Sequence, residues 1–356
     1  MLARIEARGF RNLQPLALDL DGGSHLILGD NGAGKTSLLE AVYLLATTRS
    51  FRTPRVVDCT HHGGDGFFLK GELASRAFLE VSWMKGDRTR SVNGDRTSLA
   101  DHLSALPVIA WTASDGQMLT GPPAERRRFL DRGVIGQRPS ALAVISRYRQ
   151  VLEEKRRLLQ NGSTRDELMV WNQMQAQAAA SLATLRRAYV DRLRTTLADV
   201  LTQSDLGLAE IEVNYKPSPR RALEGADAIL QSLDEAVERE VAARQVLMGC
   251  HRDDMEVTWD GHSIRRVASA GERKALGLAL LAAHGRVLEG DGVVPIYLLD
   301  DADTELDAER LRRLWKVFGA AGQLLATSNR PSVWGDLGID RRLRCNDGVV
   351  TVEATA

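Results

Sequence analysis

A glycine-rich run near the start of the sequence has the residue types and the spacing needed to hold phosphate. Gly29, Gly34, Lys35 and Thr36 match the pattern GxxxxGK[ST], in which glycines let backbone N–H groups face phosphate oxygens. Lys35 is expected to reach the β and γ oxygens of ATP, and Thr36 to ligate Mg²⁺. The predicted nucleotide contacts are Gly29, Asp30, Asn31, Gly32, Ala33, Gly34, Lys35, Thr36 and Ser37. The alternative, a chance glycine-rich turn, is disfavoured by the apolar strand before the run and the apolar helix after it.

Two acidic residues end an apolar strand later in the chain. Residues 294–299 are apolar, and Asp300 and Asp301 follow them. A phosphate-loop enzyme needs a carboxylate there to position Mg²⁺, so Asp300 is predicted to hold the metal. Asp301 is predicted to be catalytic, together with Lys35, as the general base that orients or activates the attacking water. An ordinary acidic pair at a strand end is the alternative, and the glycine-rich run upstream argues against it.

A third element begins a leucine-rich helix. Ser269 can cap the helix, and exposed N–H groups at Gly271 offer a second anion site. Ser269, Gly271 and Glu272 are therefore predicted nucleotide contacts, although a helix cap alone would favour a purely structural interpretation. The phosphate loop, this S-x-G-E helix start and the acidic strand end, in this order, resemble an ATP-binding-cassette (ABC) ATPase. The resemblance implies that the signature helix of one subunit closes over ATP on the other's phosphate loop.

The elements that must position these residues come from both ends of the chain. Residues 26–28 and the apolar helix after Thr36 predict strand, loop and helix. Short alternating runs at 67–73, 78–84 and 89–92 predict an antiparallel sheet, with Asn93-Gly94 as a hairpin turn. The order strand, helix, strand over residues 293–327 predicts a parallel sheet beside it.

The middle of the chain is mainly helical. Thr164 and Glu167 have the spacing of a capping box that opens a long helix. The sequence therefore predicts an α/β fold, an ABC-type P-loop ATPase head with a parallel core sheet plus an antiparallel sheet. We expect residues 1–121 and 248–356 to form this head, and residues 122–247 to form an inserted helical lobe.

Composition excludes several classes of protein. The chain has 356 residues, of which 44% are hydrophobic and 26% are charged, as in ordinary globular proteins. No apolar run approaches the ~20 residues of a membrane span, and the N-terminus lacks the apolar core of a signal peptide, so we expect a cytoplasmic protein without membrane partners. The three cysteines are widely separated, which excludes a disulfide framework and a CxxC metal pair.

The spacing between the motifs, together with further short motifs, indicates which kind of ABC ATPase the chain resembles. About 230 residues separate Lys35 from Ser269, more than in a transporter cassette and far fewer than in chromosome-organising relatives with inserted coiled coils. The chain resembles the RecF family of DNA-repair proteins over nearly its whole length. The matching segments are Phe10-Arg11-Asn12, residues 38–45, 49–53, 121–131, 146–148 and 251–254, and Leu299-Asp300-Asp301 followed by Glu305-Leu306-Asp307.

The resemblance implies a function in recombinational repair. A RecF-like protein is a weak, DNA-stimulated ATPase that dimerises on ATP, binds duplex DNA near single-strand gaps, and works with RecR and RecO to promote RecA loading. A nucleotide-dependent scaffold with negligible turnover, and a soluble ABC-type subunit of another system, remain alternatives. Ser114, where the family usually has Glu, favours the scaffold. Ala270, Glu272 and Cys250 also differ from the family's usual residues, which leaves a divergent paralogue open.

Arginine residues are the only indication in the sequence of where DNA would bind. Lys+Arg and Asp+Glu both number 47, so any DNA surface must be a local patch. The predicted phosphate contacts on the lobe are Arg126, Arg127, Arg128, Arg156 and Arg157. A solvated face balanced by acids such as Glu125 and Glu153 is the alternative. No aromatic interleaving or recognition helix is evident, so binding by shape and charge is expected.

Two further features, the segment 251–254 and Asn329, each have two interpretations. The segment His251-Arg252-Asp253-Asp254 favours a salt-bridge network over a metal cluster, because adjacent side chains of an extended chain point apart. Asn329 follows a strand where cassette ATPases often have a histidine that senses the γ-phosphate. A strand-end turn residue accounts for Asn329 equally well.

Overall fold

The computed structural model describes residues 1–318, 322–335 and 337–353. The strands are β1 Leu2–Arg8, β2 Leu16–Asp19, β3 Gly23–Leu28, β4 Gly66–Leu73, β5 Phe78–Met84, β6 Asp87–Val92, β7 Asp95–Arg96, β8 Val108–Trp111, β9 Ile211–Lys216, β10 Asp254–Trp259, β11 His262–Ser263, β12 Ile296–Leu299, β13 Gln323–Ser328, β14 Arg341–Asn346 and β15 Val349–Val352. The α-helices are α1 Lys35–Thr47, α2 Leu99–Ala105, α3 Gln117–Thr120, α4 Pro123–Gln137, α5 Ala141–Asn161, α6 Arg165–Ser204, α7 Ala226–Ala243, α8 Ile264–Val267, α9 Ala270–Glu289 and α10 Ala308–Phe318.

The chain divides into two compact units. The first unit contains Met1–Gly116, Asp199–Leu208 and Ser269–Ala356, and the second contains Gln117–Ala198 and Ala209–Ala268. These boundaries differ from the expected ones mainly over residues 248–268, which belong to the second unit. The reason is that β10 pairs along its whole length with β9, from Asp254 opposite Lys216 to Trp259 opposite Ile211.

Two sheets build the first unit. One is antiparallel, in the order β2-β1-β4-β5-β6-β7, and its β6–β7 hairpin turns through Asn93 and Gly94, both with positive φ. The other has the order β15-β14-β3-β13-β12-β8, with parallel pairing from β14 to β8. Because both sheets contribute apolar residues to one core around α1, they hold the start of α1 in place. The predicted combination of a parallel and an antiparallel sheet is confirmed.

The second unit is mainly helical. Thr164 and Glu167 form the predicted capping box, with the Thr164 N–H donating to Glu167 Oε2 at 2.8 Å. The helix that follows, α6, packs its apolar residues with those of α5 and α7 in a separate core. Lys155 and Glu240 are fully buried in this unit as an ion pair at 2.7 Å, with Asn172 and Gln175 accepting further bonds from the Lys155 ammonium. Among the helices described, none is both long and apolar enough to cross a membrane.

Candidate nucleotide site

The glycine-rich run forms the loop between β3 and α1. Gly32 and Gly34 have φ of 83° and 113°, in the left-handed region that favours glycine. A side chain at Gly29 would collide with the Cys345 carbonyl of β14, so the loop can pass this strand only with glycine there. The sequence pattern and the neighbouring strand therefore both require glycine in this loop.

The start of α1 leaves its backbone N–H groups available. The helix has no side-chain cap and no acidic residue in its first turn. Lys35, only 5% exposed, curls back so that its ammonium donates to the carbonyls of Gly29 and Asp30 at 2.9 and 3.0 Å. A lysine ammonium and the positive end of a helix dipole thus face the same loop, which suits a phosphate group.

Thr36 and Asp300 meet at the end of β12. The Thr36 hydroxyl donates to Asp300 Oδ1 at 2.9 Å, joining residues that are 264 positions apart. Thr327, at the end of β13, donates to the same oxygen at 2.9 Å. Burial raises the pKa of Asp300, hydrogen bonds from Thr327 and Thr36 oppose this effect, and the charge of Asp301 adds to it. A hydroxyl and a carboxylate oxygen side by side are the hard ligands that Mg²⁺ prefers, so these residues fit the metal.

Asp301 has an unusual backbone conformation. Its φ is 44°, a left-handed value that is rare outside glycine, asparagine and aspartate. The Asp301 N–H donates to Thr327 Oγ1 at 2.9 Å, and its carbonyl accepts from the Lys274 ammonium at 3.0 Å. These bonds on both sides hold the backbone turn that separates the Asp301 side chain from that of Asp300.

A pocket of about 700 Å³ opens over the loop. Its lining residues are Arg11, Asn12, Asn31, Gly32, Gly34, Lys35, Thr36, Ser37, Arg52, Asp58, Thr60, His61, His62 and Asp301. Ser37 donates to Asn12 Oδ1 at 2.7 Å, which ties the loop to the segment after β1. The structure thus brings most of the predicted phosphate-loop residues and Asp301 into one pocket, whereas Gly29, Asp30, Ala33 and Asp300 are not among its lining residues.

Sequence reasoning assigned no role to the arginines of this pocket. Arg11 makes a two-pronged contact with fully buried Glu40 of α1, at 2.8 and 2.7 Å, and Arg52 lies 3.4 Å from the same carboxylate. Both arginines are in segments matched to the RecF family, which was the available signal. Thr327 carried no such signal, because only the pairing of β12 with β13 brings it beside Asp300.

The helix start at Ser269 is built as predicted but does not line this pocket. Ser269 caps α9, and Glu272 completes a capping box by accepting from the Ser269 N–H at 2.7 Å. These bonds lower the pKa of Glu272. Gly271 lies against α10, where an added Cβ would be 2.8 Å from the Arg310 guanidinium. Ser269 is exposed, so a group from another molecule can reach it.

Asn329 lies beside the phosphate loop, and Ser114 lies in an exposed turn after β8. The Asn329 amide donates to Asn31 Oδ1 at 3.1 Å, so it lies next to the phosphate loop. This contact is compatible with both interpretations of Asn329. Ser114 is exposed and shares a hydrogen bond with Thr112 at 2.9 Å, while Asp115 accepts from the Thr112 N–H at 2.9 Å.

The five arginines proposed to bind DNA divide into two groups. Arg126 is buried and makes a two-pronged contact with Asp254 at 2.6 and 3.0 Å, and Arg127 donates to the Asp253 carbonyl at 2.8 Å. Arg126 is thus committed to an internal ion pair of the second unit, a correction to its expected role, whereas half-buried Arg127 uses one nitrogen for a carbonyl and stays a predicted DNA contact. The others are exposed: Arg128 pairs with Glu125, Arg157 pairs with Glu153 and Glu154, and Arg156 has no carboxylate partner among the described residues.

The segment from His251 to Asp254 belongs to a buried charge network. Asp253 is fully buried and accepts from Arg186 at 2.7 Å and also from Tyr215. Arg186 also pairs with Asp131 at 2.7 Å. Within the described residues there is no group of three or more His, Cys, Asp and Glu side chains that could hold a metal.

Known proteins resemble this chain over its whole length. The RecF/RecN/SMC N-terminal domain family matches residues 1–337. The chain is 34% identical to the DNA replication and repair protein RecF of Acidothermus cellulolyticus, with 99% of each chain covered. It is 32% identical to the protein of the same description from Myxococcus xanthus, over 100% of this chain and 98% of the relative. A solved structure of the recombination mediator protein RecF-ATPrS of the RecFOR pathway has a TM-score of 0.87 at 23% identity, covering 99% of this chain and 98% of that one. The predicted fold class is confirmed.

Proposed function

This chain belongs to the RecF family of DNA replication and repair proteins, and from that premise we propose that it is an ATP-dependent DNA-binding protein of recombinational repair. It dimerises on ATP at duplex or gapped DNA and promotes RecA loading with RecR and RecO. The observation that carries the proposal is the hydrogen bond between Thr36 and Asp300, because it joins the phosphate loop to an acidic strand end.

The loop and its neighbours account for ATP binding. The N–H groups at the start of α1 and the Lys35 ammonium neutralise the β and γ phosphates. Thr36 and Asp300 would hold Mg²⁺, which when bound draws charge from the phosphates. Asp301 orients the attacking water and accepts its proton as the water oxygen bonds to the γ-phosphorus. The bond from phosphorus to the ADP oxygen breaks, and the products are ADP and phosphate.

The exposed helix start supports a dimer. Ser269, Gly271 and Glu272 do not line the pocket of their own chain, and Ser269 faces solvent at the N-terminus of a 20-residue helix. A second copy would place this N-terminus over the ATP of the first, and two equivalent contacts would form by symmetry. ATP would therefore hold the two copies together, and hydrolysis would release them.

Turnover would be weak and stimulated by DNA. The scaffold alternative, with ATP binding but negligible hydrolysis, is favoured by Ser114, since this exposed hydroxyl replaces the family's usual acid near the site. A single-turnover measurement of ATP hydrolysis separates the two functions. An ABC-type subunit of another system has no observation in its favour here.

Sedimentation velocity tests the proposal directly. The full chain is run with ATP, with ADP and without nucleotide, each with and without a gapped duplex. We expect a dimer only with ATP, and ATP-dependent retention on DNA.

Lys35→Met should weaken ATP binding by about 100-fold, because it removes a buried charge opposite phosphate, and should abolish dimerisation with it. Lys85→Met, in the exposed turn between β5 and β6, is the control and should behave like the wild type. A Lys35→Met protein that still dimerises with ATP would contradict the proposed site.

A further inference from the structure

Three arginines of the first unit lie near one another, and among the described residues none of them has a carboxylate within 4 Å. Arg88 and Arg90 are two residues apart on β6, so their side chains share one face of the sheet. On this face they stand opposite Trp83 and Val81 of β5. Arg49 follows Thr48, the C-terminal cap of α1, which packs on β5. Because α1 and β6 both pack against β5, the end of α1 and β6 bring these three residues to one region.

Their charges act on one another. The pKa of Arg88 is lowered by burial and then by the positive charges of Arg90 and Arg49. His102 of α2, which packs on β6, also has its pKa lowered by burial and by the same two arginines of β6. The positive charges of neighbouring arginines thus act on both Arg88 and His102, in addition to burial.

No acidic side chain compensates this charge. Within the described part of the chain, Arg49, Arg88 and Arg90 have no carboxylate within 4 Å, whereas about half of the arginines of the first unit are in ion pairs. Arg90 is held by a bond from its Nε to the Thr97 carbonyl at 3.1 Å, which leaves its two terminal nitrogens free to donate. Unpaired, partly ordered guanidinium groups suit the oxygens of phosphate.

We propose that Arg49, Arg88 and Arg90, hereafter the head cluster, bind the phosphate backbone of DNA. The proposal rests on the proposed function, since it names a surface for the DNA that this function requires. It also explains how a chain of zero net charge can bind DNA, because the head cluster is a local excess of positive charge. The head cluster is separate from the nucleotide pocket, whose lining includes none of its members.

Salt-dependent binding of DNA by the full chain tests the head cluster. Anisotropy of a labelled gapped duplex is measured with ATP at several chloride concentrations, for the wild type and for Arg88→Gln/Arg90→Gln. We expect at least 10-fold weaker binding at low salt, and a slope of log K against log salt less negative by about 2, since each lost phosphate contact contributes about 0.9. Arg49→Gln alone should reduce the slope by about 1.

Two controls remove the same charge elsewhere. Arg76→Gln changes an exposed arginine in the turn between β4 and β5, and Arg76→Gln/Arg312→Gln removes in addition an exposed arginine of α10. An unchanged slope in Arg88→Gln/Arg90→Gln would overturn the proposal, as would an equal loss of slope in Arg76→Gln. Thermal unfolding and ATP binding of each variant must match the wild type, so that a folding defect is not read as lost DNA contact.

Competition identifies the source of the phosphate. Inorganic phosphate or free ATP, added at matched ionic strength, should displace DNA no better than chloride does. Displacement at low millimolar concentration would mean that the head cluster is a small-anion site, and would overturn the assignment to DNA. If the wild type binds no DNA at any salt concentration, the proposed function fails rather than the location of the site.

Discussion

In the proposed function, two neighbouring acids at the end of β12 take different roles, Asp300 in metal binding and Asp301 in proton transfer. Asp300 is tied to the phosphate loop through Thr36, whereas Asp301, with a left-handed backbone conformation, lines the nucleotide pocket and has its Oδ1 3.5 Å from Thr327 Oγ1. Adjacent carboxylates would otherwise repel each other, and the charge of Asp301 does add to the raised pKa of Asp300. The proposed roles of the two acids differ accordingly, because Asp300 contacts Thr36 and Asp301 lines the pocket.

Asp301→Asn should lengthen the life of the ATP-bound dimer. Asparagine tolerates the left-handed conformation, so the backbone should keep its bonds to Thr327 and Lys274 while the general base is lost. We expect single-turnover hydrolysis to slow by about 10²–10⁴-fold. Asp307→Asn, at the exposed start of α10, is the matched control. Wild-type hydrolysis, or faster dimer dissociation in Asp301→Asn, would exclude this role for Asp301.

His251 should make stability depend on pH. Burial and the charges of Arg156, Arg252 and Arg127 lower its pKa from the ordinary 6.5 to about 4, although a bond to the Val246 carbonyl opposes this. The unfolded chain therefore binds the proton more readily, so the stability contribution is complete above pH 6.5 and is lost as the pH falls towards 4.

In His251→Gln, the stability change between pH 7 and pH 4 should be smaller by about 1–3 kcal/mol, since the difference in proton binding is gone. Chemical denaturation at a series of pH values measures it. Asp253, whose pKa is raised by burial, contributes with the opposite sign in both proteins and cancels in the comparison. Equal pH dependence in the two proteins would contradict the assignment to His251.

At the scale of elements, α9 connects the helix start at Ser269 to the parallel sheet. It lies so close to β8 that Gly277 faces the Trp111 ring, and to β12 that Gly285 faces Tyr297. The two glycines allow the helix to approach the strands that carry the acidic end. Glycine normally destabilises a helix interior, so its presence here reflects packing.

Gly277→Ala should destabilise the protein. An added Cβ would lie 2.5 and 2.7 Å from Cη2 and Cζ3 of Trp111, so the helix or the ring must move, at a cost of about 1–3 kcal/mol despite the better helix propensity of alanine. Gly116→Ala is the control, because its new Cβ would have only ordinary contact at 3.6 Å and its φ is not positive. Urea denaturation of both variants should show a lower midpoint for Gly277→Ala alone. An unchanged midpoint for Gly277→Ala would mean that α9 accommodates the added Cβ without cost, and would contradict this prediction.

At the scale of the whole molecule, the proposed active site is divided between two copies. The phosphate loop and Asp301 line one pocket, while Ser269 faces away from the pocket of its own chain. Two defective proteins with different lesions should therefore restore each other, provided that each supplies the half that the other lacks.

Mixing Lys35→Met with Ser269→Arg tests this division. Neither variant alone should hydrolyse ATP, but a mixed dimer contains one intact site, formed by the loop of one and the helix start of the other. We expect about a quarter to a half of wild-type activity: each mixed dimer has one of two sites, random pairing would make about half of the dimers mixed, and homodimers that fail to form leave more chains for mixed dimers. Inactive mixtures of the two folded variants, in which cross-linking with ATP detects mixed dimers, would argue for sites complete within one chain.

The sequence alone determined the class of fold and the position of three separated motifs, of which the phosphate loop is the first. Each depends on local spacing: glycines before a helix, a serine three residues before a glutamate, and two acids after an apolar strand. Such a motif can be recognised from adjacent residues alone, which is why the loop from Gly29 to Thr36 and the helix cap at Ser269 could be identified without coordinates.

Only the tertiary structure decided which charges are available. Arg126 and Arg88 look alike in sequence, yet Arg126 is neutralised by Asp254, 128 residues away, whereas Arg88 has no carboxylate within 4 Å among the described residues. The same holds for Thr327 beside Asp300 and for β10, which pairs with β9 rather than with the head strands. Pairing between residues so far apart in sequence depends on strand register and on burial in the folded chain. Local sequence periodicity does not indicate which distant residues pair.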